Sequence, residues 1–268
     1  MQSVRPAAVA GMFYPGDPAD LAQEVTDMLA QAETHAAKLQ PKALIVPHAG
    51  YIYSGPIAAS AYSLLAPIAH RIRRVVLLGP THRIAVRGLA LPGVTAFSTP
   101  LGEIAIDDAA VRKIASLPQV SVSPQAHALE HALEVQLPFL QSVLPEFMLV
   151  PLAVGMASSE EVAEVLEVLW GGEETLIIIS SDLSHFLPYA VAKRIDDETA
   201  QTILELRALV THEQACGGTP VNGLMLLARR HHLTPHLLDL RNSGDTAGDR
   251  DRVVGYGAFA FTEDNDNA

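Results

Sequence analysis

The sequence predicts a single α/β domain with a mixed central sheet flanked by helices, and two patterns carry this prediction. Short apolar runs stop at turn-forming residues and alternate with helical patterns, which is typical of buried parallel strands. Other strand patterns follow one another without a helix between them, so the sheet should be mixed. No linker rich in proline, glycine or serine divides the 268 residues. We therefore expect one domain over residues 1–262 and a disordered tail at residues 263–268.

Helix signals open the chain. A helix is predicted from Pro18 to Ala37, because Asp17 suits the N-cap, Pro18 suits the first turn and the following apolar residues share one face. Small apolar residues predict a second helix over 55–65, which Pro67 ends. The later helices are predicted near residues 108–114, 129–143, 159–169 and 191–208, and from the Gly217-Gly218 pair to Arg230.

Strands are predicted where apolar residues run together or alternate. Ala43 to Val46, Val75 to Leu78 and Leu176 to Ile179 are apolar throughout, as expected for strands buried on both faces. Residues 102–107 alternate between apolar and polar, as in a half-exposed strand. The remaining strands are predicted at residues 88–91, 147–154, 237–240 and 253–261.

Composition excludes several classes of function. The net charge is −12 and the calculated pI is about 5.3, which argues against nucleic acid or an anionic membrane as the partner. The single cysteine, Cys216, excludes an internal disulfide and a cysteine-rich zinc site, and it fits a reducing compartment. The sequence shows no signal peptide and no apolar run of the ~20 residues that a membrane helix needs. We therefore expect a cytoplasmic protein.

Histidines follow three of the predicted buried strands. His48, His82 and His185 stand just after the strands that end at Val46, Leu78 and Ile179. Because the carboxyl ends of strands line the ligand crevice of open α/β sheets, these side chains are expected to share one pocket. Two converging imidazoles, His48 and His82, are a usual start for a divalent metal site, and iron would prefer a carboxylate as a third ligand. The alternative is that both histidines only bond loop backbone.

Two further segments carry acids beside histidines. In Ser181-Asp-Leu-Ser-His185, Asp182 could orient His185 or raise its pKa, although a capping role for Asp182 is the simpler explanation. The segment His127 to Gln136 contains H-x-x-E-H, the inverted zinc-peptidase pattern, which allows a zinc hydrolase on His127, Glu130 and His131. The other interpretation places Glu130, His131 and Glu134 in the first turn of a helix pointing into the same pocket.

Five of these motifs together resemble the MEMO family, many of whose bacterial and archaeal members are called AmmeMemoRadiSam system protein B. They are Gly11-Met-Phe-Tyr-Pro-Gly16, Pro47-His-Ala-Gly-Tyr-Ile-Tyr-Ser-Gly55, Leu78-Gly-Pro-Thr-His82, Glu130-His-Ala-Leu-Glu-Val-Gln-Leu-Pro138 and Ser181-Asp-Leu-Ser-His185. They occur in order over nearly the whole chain. The resemblance implies the three-layer α/β fold of the class III extradiol, or LigB-like, dioxygenases.

The resemblance also implies roles for individual residues. His48 and His82 match metal-binding histidines, His185 matches the acid/base histidine, and Asp182 and His131 match other pocket positions. We add Glu134 to the catalytic candidates. The third metal ligand differs: animal members use a cysteine before the last strand, where this chain has Asn242-Ser-Gly-Asp-Thr246. Asp245 is the expected replacement, and Cys216 lies too far upstream to match.

The function implied by this resemblance is that of a non-haem, dioxygenase-like oxidoreductase. Fe(II) is the expected metal, with Zn or Cu as alternatives, and the expected ligand is a small molecule such as a hydroxylated aromatic, or a peptide. Two rival functions stay open at this point. One is a non-catalytic protein that binds a metal or peptide in the same pocket, and the other is the zinc hydrolase.

Overall fold

A nine-stranded mixed sheet forms the middle of the computed structural model, which describes residues 3–32 and 39–263. The strands in chain order are β1 (Val4–Arg5), β2 (Pro41–Val46), β3 (Arg74–Pro80), β4 (Leu89–Leu91), β5 (Ala96–Thr99), β6 (Gly102–Ala105), β7 (Val120–Val122), β8 (Met148–Val154), β9 (Thr175–Ser180), β10 (His185–Leu187), β11 (Leu233–Asn242) and β12 (Val253–Glu263). Strands β1, β5 and β6 form a separate small sheet.

The order along the large sheet is β10-β12-β2-β9-β3-β8-β4-β7, and β11 also pairs with β12. Strands β2, β9, β3 and β8 run parallel to one another in the centre. Strands β10, β11 and β12 form an antiparallel flank on one side, and β4 pairs antiparallel with β8 on the other. The parallel centre brings the carboxyl ends of four strands to one edge of the sheet.

Helices cover both faces of this sheet. They are α1 (Pro18–Gln31), α2 (Tyr51–Tyr62), α3 (Asp108–Ile114), α4 (Pro124–Ala128), α5 (Leu137–Val143), α6 (Ser159–Leu169), α7 (Tyr189–Leu204) and α8 (Gly218–Arg230). One apolar core packs α1, α2 and α5 against one face, and a second packs α3, α6, α7 and α8 against the other. The predicted single three-layer α/β domain is confirmed.

Alternation along the central strands explains why two cores form. In β2, Leu44 and Val46 enter the first core, whereas Ala43 and Ile45 enter the second. Side chains of a strand point to opposite faces in turn, so a strand covered on both faces must be apolar at every position. The four residues from Ala43 to Val46 are accordingly all apolar and all buried.

Several predicted elements have different bounds in the structure. Helix α1 ends at Gln31, because Ala32 already has an extended backbone, and residues 33–37 of the predicted helix lie outside the described residues. The predicted helix over 129–143 is wrong in its first half: α4 and α5 are short, and residues 129–133 between them form a loop. Strand β12 extends to Glu263, and residues 264–268 of the predicted tail lie outside the described residues.

No helix within residues 3–32 and 39–263 has both the length and the apolar composition needed to cross a membrane.

Candidate metal centre

Three imidazoles converge at the carboxyl edge of the parallel strands. Among the described residues, His48, His82 and His131 form a group whose potential ligand atoms all lie within 4.8 Å of one another. His48 follows β2 and His82 follows β3, as the sequence predicts. His131 comes from the loop between α4 and α5.

The loop that carries His131 can approach the sheet because β3 contains Gly79. A side chain at Gly79 would meet the Leu133 side chain at 3.0 Å and the Ala132 side chain at 3.2 Å. The loop is also fixed to β9, because the Ser180 hydroxyl donates a 2.6 Å hydrogen bond to the Ala132 carbonyl. The Phe13 ring, 4.8 Å from the His131 ring between centroids, covers the imidazole from the N-terminal segment.

The three rings differ in burial. His48 is buried, whereas 30% of the His82 side chain and 18% of the His131 side chain are exposed. The ring centroids lie 5.2 Å apart for His48 and His82, 5.4 Å for His48 and His131, and 4.7 Å for His82 and His131. The cluster is therefore closed on the His48 side and open to solvent on the His82 side, where a ligand can enter.

Hydrogen bonds determine which nitrogen of His48 is free. The Ser180 hydroxyl donates its proton to a carbonyl and accepts a 2.8 Å hydrogen bond from the Gln136 side-chain amide. The His48 Nδ1 atom, 2.9 Å from the same hydroxyl oxygen, must then be the donor of that contact. This leaves the lone pair on His48 Nε2, the atom available to a metal.

Glu130 determines the orientation of the His82 ring through two hydrogen bonds. Its carboxylate accepts hydrogen bonds from His82 Nδ1 at 2.8 Å and from the His82 backbone N–H at 2.6 Å. Because an ionised carboxylate only accepts, Nδ1 carries a proton, and Nε2 is the ring nitrogen that Glu130 does not contact. The bonds from His82 and from the Ala132 backbone hold the pKa of Glu130 at about 2, against the opposing effect of burial. Carboxylates that orient metal-binding histidines occupy this position in metal sites.

The charge state of the imidazoles suits a metal. Burial lowers the pKa of His48 to about 3, and burial with the neighbouring His48 lowers the pKa of His131 to about 4. Both rings are thus neutral near neutral pH, the form that binds metals. Three neutral imidazoles are a ligand set used for Zn, and imidazole also suits Cu and Fe. The residues present therefore fit a first-row divalent metal.

Asp182 and His185 lie beside this cluster, as the sequence predicts. Asp182 is buried and its carboxylate accepts a 2.7 Å hydrogen bond from the His48 backbone N–H. Burial raises the pKa of Asp182, while that hydrogen bond and the nearby His185 and His131 oppose the rise. His185, the first residue of β10, is partly exposed. The centre thus combines three potential metal ligands with one buried acid and one accessible imidazole.

Cys216 lies in the centre, contrary to what its place in the sequence suggests. Its Sγ atom is 3.3 Å from His48 Nε2. Burial, with a smaller effect of Asp182, raises the pKa of this thiol to about 12. The group is therefore a neutral thiol, and it contacts the same nitrogen that a metal would use.

Asp196 of α7 supports the loop that carries His185. Its carboxylate accepts a 3.0 Å hydrogen bond from the Ser184 backbone N–H, and a side chain at Gly255 would meet its Oδ2 atom at 2.1 Å. Burial raises the pKa of Asp196 from 3.8 to about 6. At pH values between 3.8 and about 6, the folded protein therefore keeps a proton on Asp196 that the unfolded chain releases.

We expect this proton to make stability fall as pH rises from about 4 to about 6, by about 2–3 kcal/mol. Asp196→Asn keeps the acceptor for Ser184 and removes the ionisation, so the variant should be more stable than the wild type at about pH 8 and not at about pH 4. Urea unfolding at both pH values measures this difference. Asp197→Asn changes the adjacent, exposed carboxylate and is the control. Equal pH profiles for wild type and Asp196→Asn would contradict the prediction.

Glu134, expected among the catalytic groups, points away from the centre. Its buried carboxylate pairs with Arg5, accepts from the Ala8 and Val9 backbone N–H groups at 2.8 and 3.0 Å, and accepts from the Tyr14 hydroxyl at 2.6 Å. Residues 131 and 134 lie on different sides of the turn, so only His131 reaches the cluster. Glu134 instead holds the N-terminal segment that covers His131.

Asp245, expected as the third metal ligand, is not in the group of potential ligands. Its carboxylate accepts a 2.6 Å hydrogen bond from the Tyr189 hydroxyl and a 3.1 Å bond from the Asn242 backbone N–H. The second of these bonds caps a single 3-10 turn before β12. His131, rather than Asp245, is the third residue of the group that could hold a metal.

The zinc-peptidase interpretation also fails on geometry. The His127 Nε2 atom lies 2.7 Å from the Ala90 carbonyl oxygen, which makes Nε2 a donor, and His127 is not in the group of potential ligands. Glu130, the intended base, is bound to His82. His127 and His131 do not share a helix face, because α4 ends at Ala128.

Sequence reasoning missed Ser180, Gln136 and Cys216. Ser180 had a signal, because it is the polar residue that ends the buried strand β9 and pairs in register with Val46. Gln136 lies within the motif that runs from Glu130 to Pro138, whereas Cys216 lies in none of the five motifs and reaches the centre from a segment remote in sequence.

A family model matches almost the whole chain. The model of the family described as Memo-like protein matches residues 5–260. The chain belongs to the Memo family. This confirms the resemblance that the five motifs indicated.

Similar proteins come from bacteria and archaea. The chain is 36% identical to a protein named MEMO1 family protein from Aquifex aeolicus, over 96% of this chain and 99% of that one. It is 32% identical to one of the same name from Metallosphaera sedula, over 97% and 99%, and 34% identical to one from Archaeoglobus fulgidus, over 96% and 99%. The similarity therefore extends over the full length of these Memo family proteins.

One solved structure is similar in fold at a much lower sequence identity. The crystal structure of the uncharacterised protein JW3007 from Escherichia coli K12 superposes with a TM-score of 0.51 at 14% identity, covering 81% of this chain and 98% of that one. At this identity the match supports the fold alone.

Proposed function

We propose that this Memo family protein is a non-haem metal-dependent oxidoreductase of the dioxygenase type. Fe(II) is the proposed metal, held by His48, His82 and His131, and the proposed substrate is a small hydroxylated aromatic molecule. The observation that supports this proposal is that the imidazoles of His48, His82 and His131 lie together with Asp182 and His185 at a solvent-open edge of the sheet. A cytoplasmic location stays a prediction.

The donor set differs from the two histidines and one carboxylate that non-haem Fe(II) oxygenases use. The nearest carboxylates are Glu130, which His82 occupies, and Asp182, which bonds the His48 backbone. Three imidazoles also suit Zn and Cu, and metal analysis distinguishes these from Fe.

Each residue of the centre has a distinct task in this proposal. Bound Fe(II) would supply a Lewis acid and an electron source for reaction with oxygen. Partly exposed His185 accepts the proton of a substrate hydroxyl. The charge of Asp182 stabilises the imidazolium that forms. Glu130 and Ser180 keep Nε2 of His82 and of His48 turned to the metal.

The test is metal analysis of protein purified without oxygen, followed by oxygen uptake with a panel of catechols. We expect one equivalent of metal, and oxygen uptake only with the Fe(II)-loaded protein. His185→Ala should keep the metal and lower the uptake rate by about 100-fold or more. His70→Ala, which changes an exposed histidine before β3, is the control.

Two results would contradict this function. One is full oxygen uptake by His185→Ala, which would remove the acid/base role. The other is a fully metal-loaded wild type that takes up no oxygen with any catechol.

A second candidate, a non-catalytic binding protein, is favoured by exposed apolar side chains next to the centre. Met12 adjoins Phe13, Ile52 follows the His48 loop and Phe186 follows His185, and each has at least 60% of its surface exposed. Such a rim can bind a peptide or another apolar partner. Metal binding without oxygen uptake would favour this candidate.

A further inference from the structure

Gln136, in the 3-10 turn before α5, has a fully buried side-chain amide that bonds three separate segments of the chain. Its Nε2 atom donates to the Pro47 carbonyl and to the Ser180 hydroxyl, both at 2.8 Å. Its Oε1 atom accepts from the Tyr62 hydroxyl at 2.8 Å. Both N–H groups and the oxygen of the amide are therefore in use. Because an apolar side chain can stabilise a core as well as a buried amide does, these bonds are expected to serve the groups that they hold.

The partners of this amide determine which way it faces. A carbonyl oxygen only accepts, so the amide atom beside the Pro47 carbonyl must be the nitrogen. Tyr62 is fully buried and stacks on Phe139, with 5.1 Å between ring centroids and an angle of 10°, which fixes the direction of its hydroxyl. A reversed amide would place an acceptor against Pro47, and that acceptor would compete with Ala132 for the Ser180 proton.

The first bond of Gln136 holds the peptide group that leads into His48. This peptide joins Pro47 to His48: its carbonyl accepts from Gln136, and its N–H donates to the Asp182 carboxylate at 2.7 Å. Because a peptide group is planar, holding both its oxygen and its nitrogen fixes the direction of the whole group. The position of the His48 ring therefore depends on Gln136 as well as on Asp182.

The second bond of Gln136 reaches the loop that carries His131. The Ser180 hydroxyl accepts from Gln136 and donates to the carbonyl of Ala132, the residue after His131, at 2.6 Å. The same hydroxyl oxygen lies 2.9 Å from His48 Nδ1. One amide thus connects the backbone beside His48 to the backbone beside His131, and the two rings lie 5.4 Å apart between centroids.

We propose that Gln136 is a positioning residue of the metal centre, which sets the spacing of His48 and His131 before a metal ion arrives. Tyr62 assists by keeping the amide in the orientation that both bonds need. This inference rests on the metal-binding part of the proposed function. Groups that orient metal ligands without touching the metal contribute strongly to affinity, although they supply no donor atom themselves.

The test uses Co(II) as the probe, because its absorption spectrum reports both binding and coordination geometry. Titration against a competing chelator measures affinity and needs no turnover. Gln136→Met has a side chain of similar length without the amide, and it should weaken Co(II) binding about 10-fold and change the spectrum of the bound ion. Tyr62→Phe only loosens the orientation of the amide, so it should weaken binding about 3-fold and change the spectrum in the same direction.

Tyr51→Phe is the matched control. The Tyr51 hydroxyl donates to the Val135 carbonyl at 2.8 Å, so it bonds the same turn one residue earlier and does not touch the amide. Tyr51 and Tyr62 are both buried, and each variant loses one hydrogen bond. Both should therefore lower the midpoint of urea unfolding of the metal-free protein to a similar extent. Only Tyr62→Phe should change the Co(II) affinity and spectrum.

The outcomes distinguish this inference from the proposed function. If the wild type binds one equivalent of Co(II), and Gln136→Met and Tyr62→Phe keep its affinity and spectrum, the inference is overturned and the metal centre stands. Equal losses of affinity in Tyr51→Phe and Tyr62→Phe would also overturn it, because the cause would then be a general loosening of the turn. If Gln136→Met does not fold, the pair of tyrosine variants decides. A wild type that binds no Co(II) overturns both the inference and the metal centre.

Discussion

Replacing His131 with alanine is expected to lower metal affinity by about 100-fold or more while the fold is kept. His131 stands in a loop outside the two apolar cores, so its loss removes a ligand without opening a core cavity. The same result is expected for His48→Ala and His82→Ala, because each supplies one of three potential ligand atoms. Metal titration with a competing chelator, next to denaturant unfolding of each variant, measures both quantities.

Two further variants, with different expected losses of metal affinity, test this prediction. Glu130→Gln keeps the size of the side chain but weakens its hold on His82, and should cost 10- to 100-fold in affinity. Asp245→Ala should leave affinity unchanged, since its carboxylate bonds Tyr189 and the Asn242 backbone. A large loss of affinity in Asp245→Ala with full affinity in His131→Ala would restore the ligand set that the sequence suggested.

The fold and two of the three histidines could be predicted because both follow from local patterns. Apolar runs such as Ala43 to Val46 identify strands buried on both faces, and parallel strands place the residues after their ends at one edge. His48 and His82 are such residues, so their closeness can be predicted without knowing any contact between distant segments. Asp182 and His185 follow β9 and meet them for the same reason.

The sequence placed His131 in the pocket but not in the group that could hold a metal, because its exact position depends on contacts between distant segments. A continuous helix was expected around His131, but the Glu130 carboxylate accepts hydrogen bonds from the backbone N–H groups of His131 and Ala132 at 2.9 and 3.0 Å. A side chain that bonds its own backbone competes with helix formation. Ser180, 48 residues away, then fixes the resulting loop through the Ala132 carbonyl.

Glu134 is a second residue whose position depends on contacts between distant segments. Its nearness to His131 in sequence suggested a shared pocket, yet its partners Arg5, Ala8, Val9 and Tyr14 come from the start of the chain. The carboxylate satisfies two backbone donors, a hydroxyl and a buried guanidinium at once. It therefore fixes the N-terminal segment, including Phe13, over the metal centre.

Glu134→Gln is accordingly expected to destabilise the protein by about 3–5 kcal/mol, the cost of leaving a buried charge without its partner. Arg5 has 4% of its surface exposed, and its other contacts are the carbonyls of His127 and Glu130. Urea unfolding measures the loss. Arg5→Met combined with Glu134→Gln removes both charges and should recover part of the stability.

Metal affinity shows whether Glu134 acts on the centre directly. Because Glu134 reaches His131 only through the covering segment, Glu134→Gln should weaken metal binding less than Glu130→Gln does, under conditions where both variants are folded. An unchanged unfolding free energy together with loss of metal would instead place Glu134 in the centre itself. The buried partners that surround its carboxylate argue for the first result, since none of them is a metal ligand and all of them belong to the N-terminal segment.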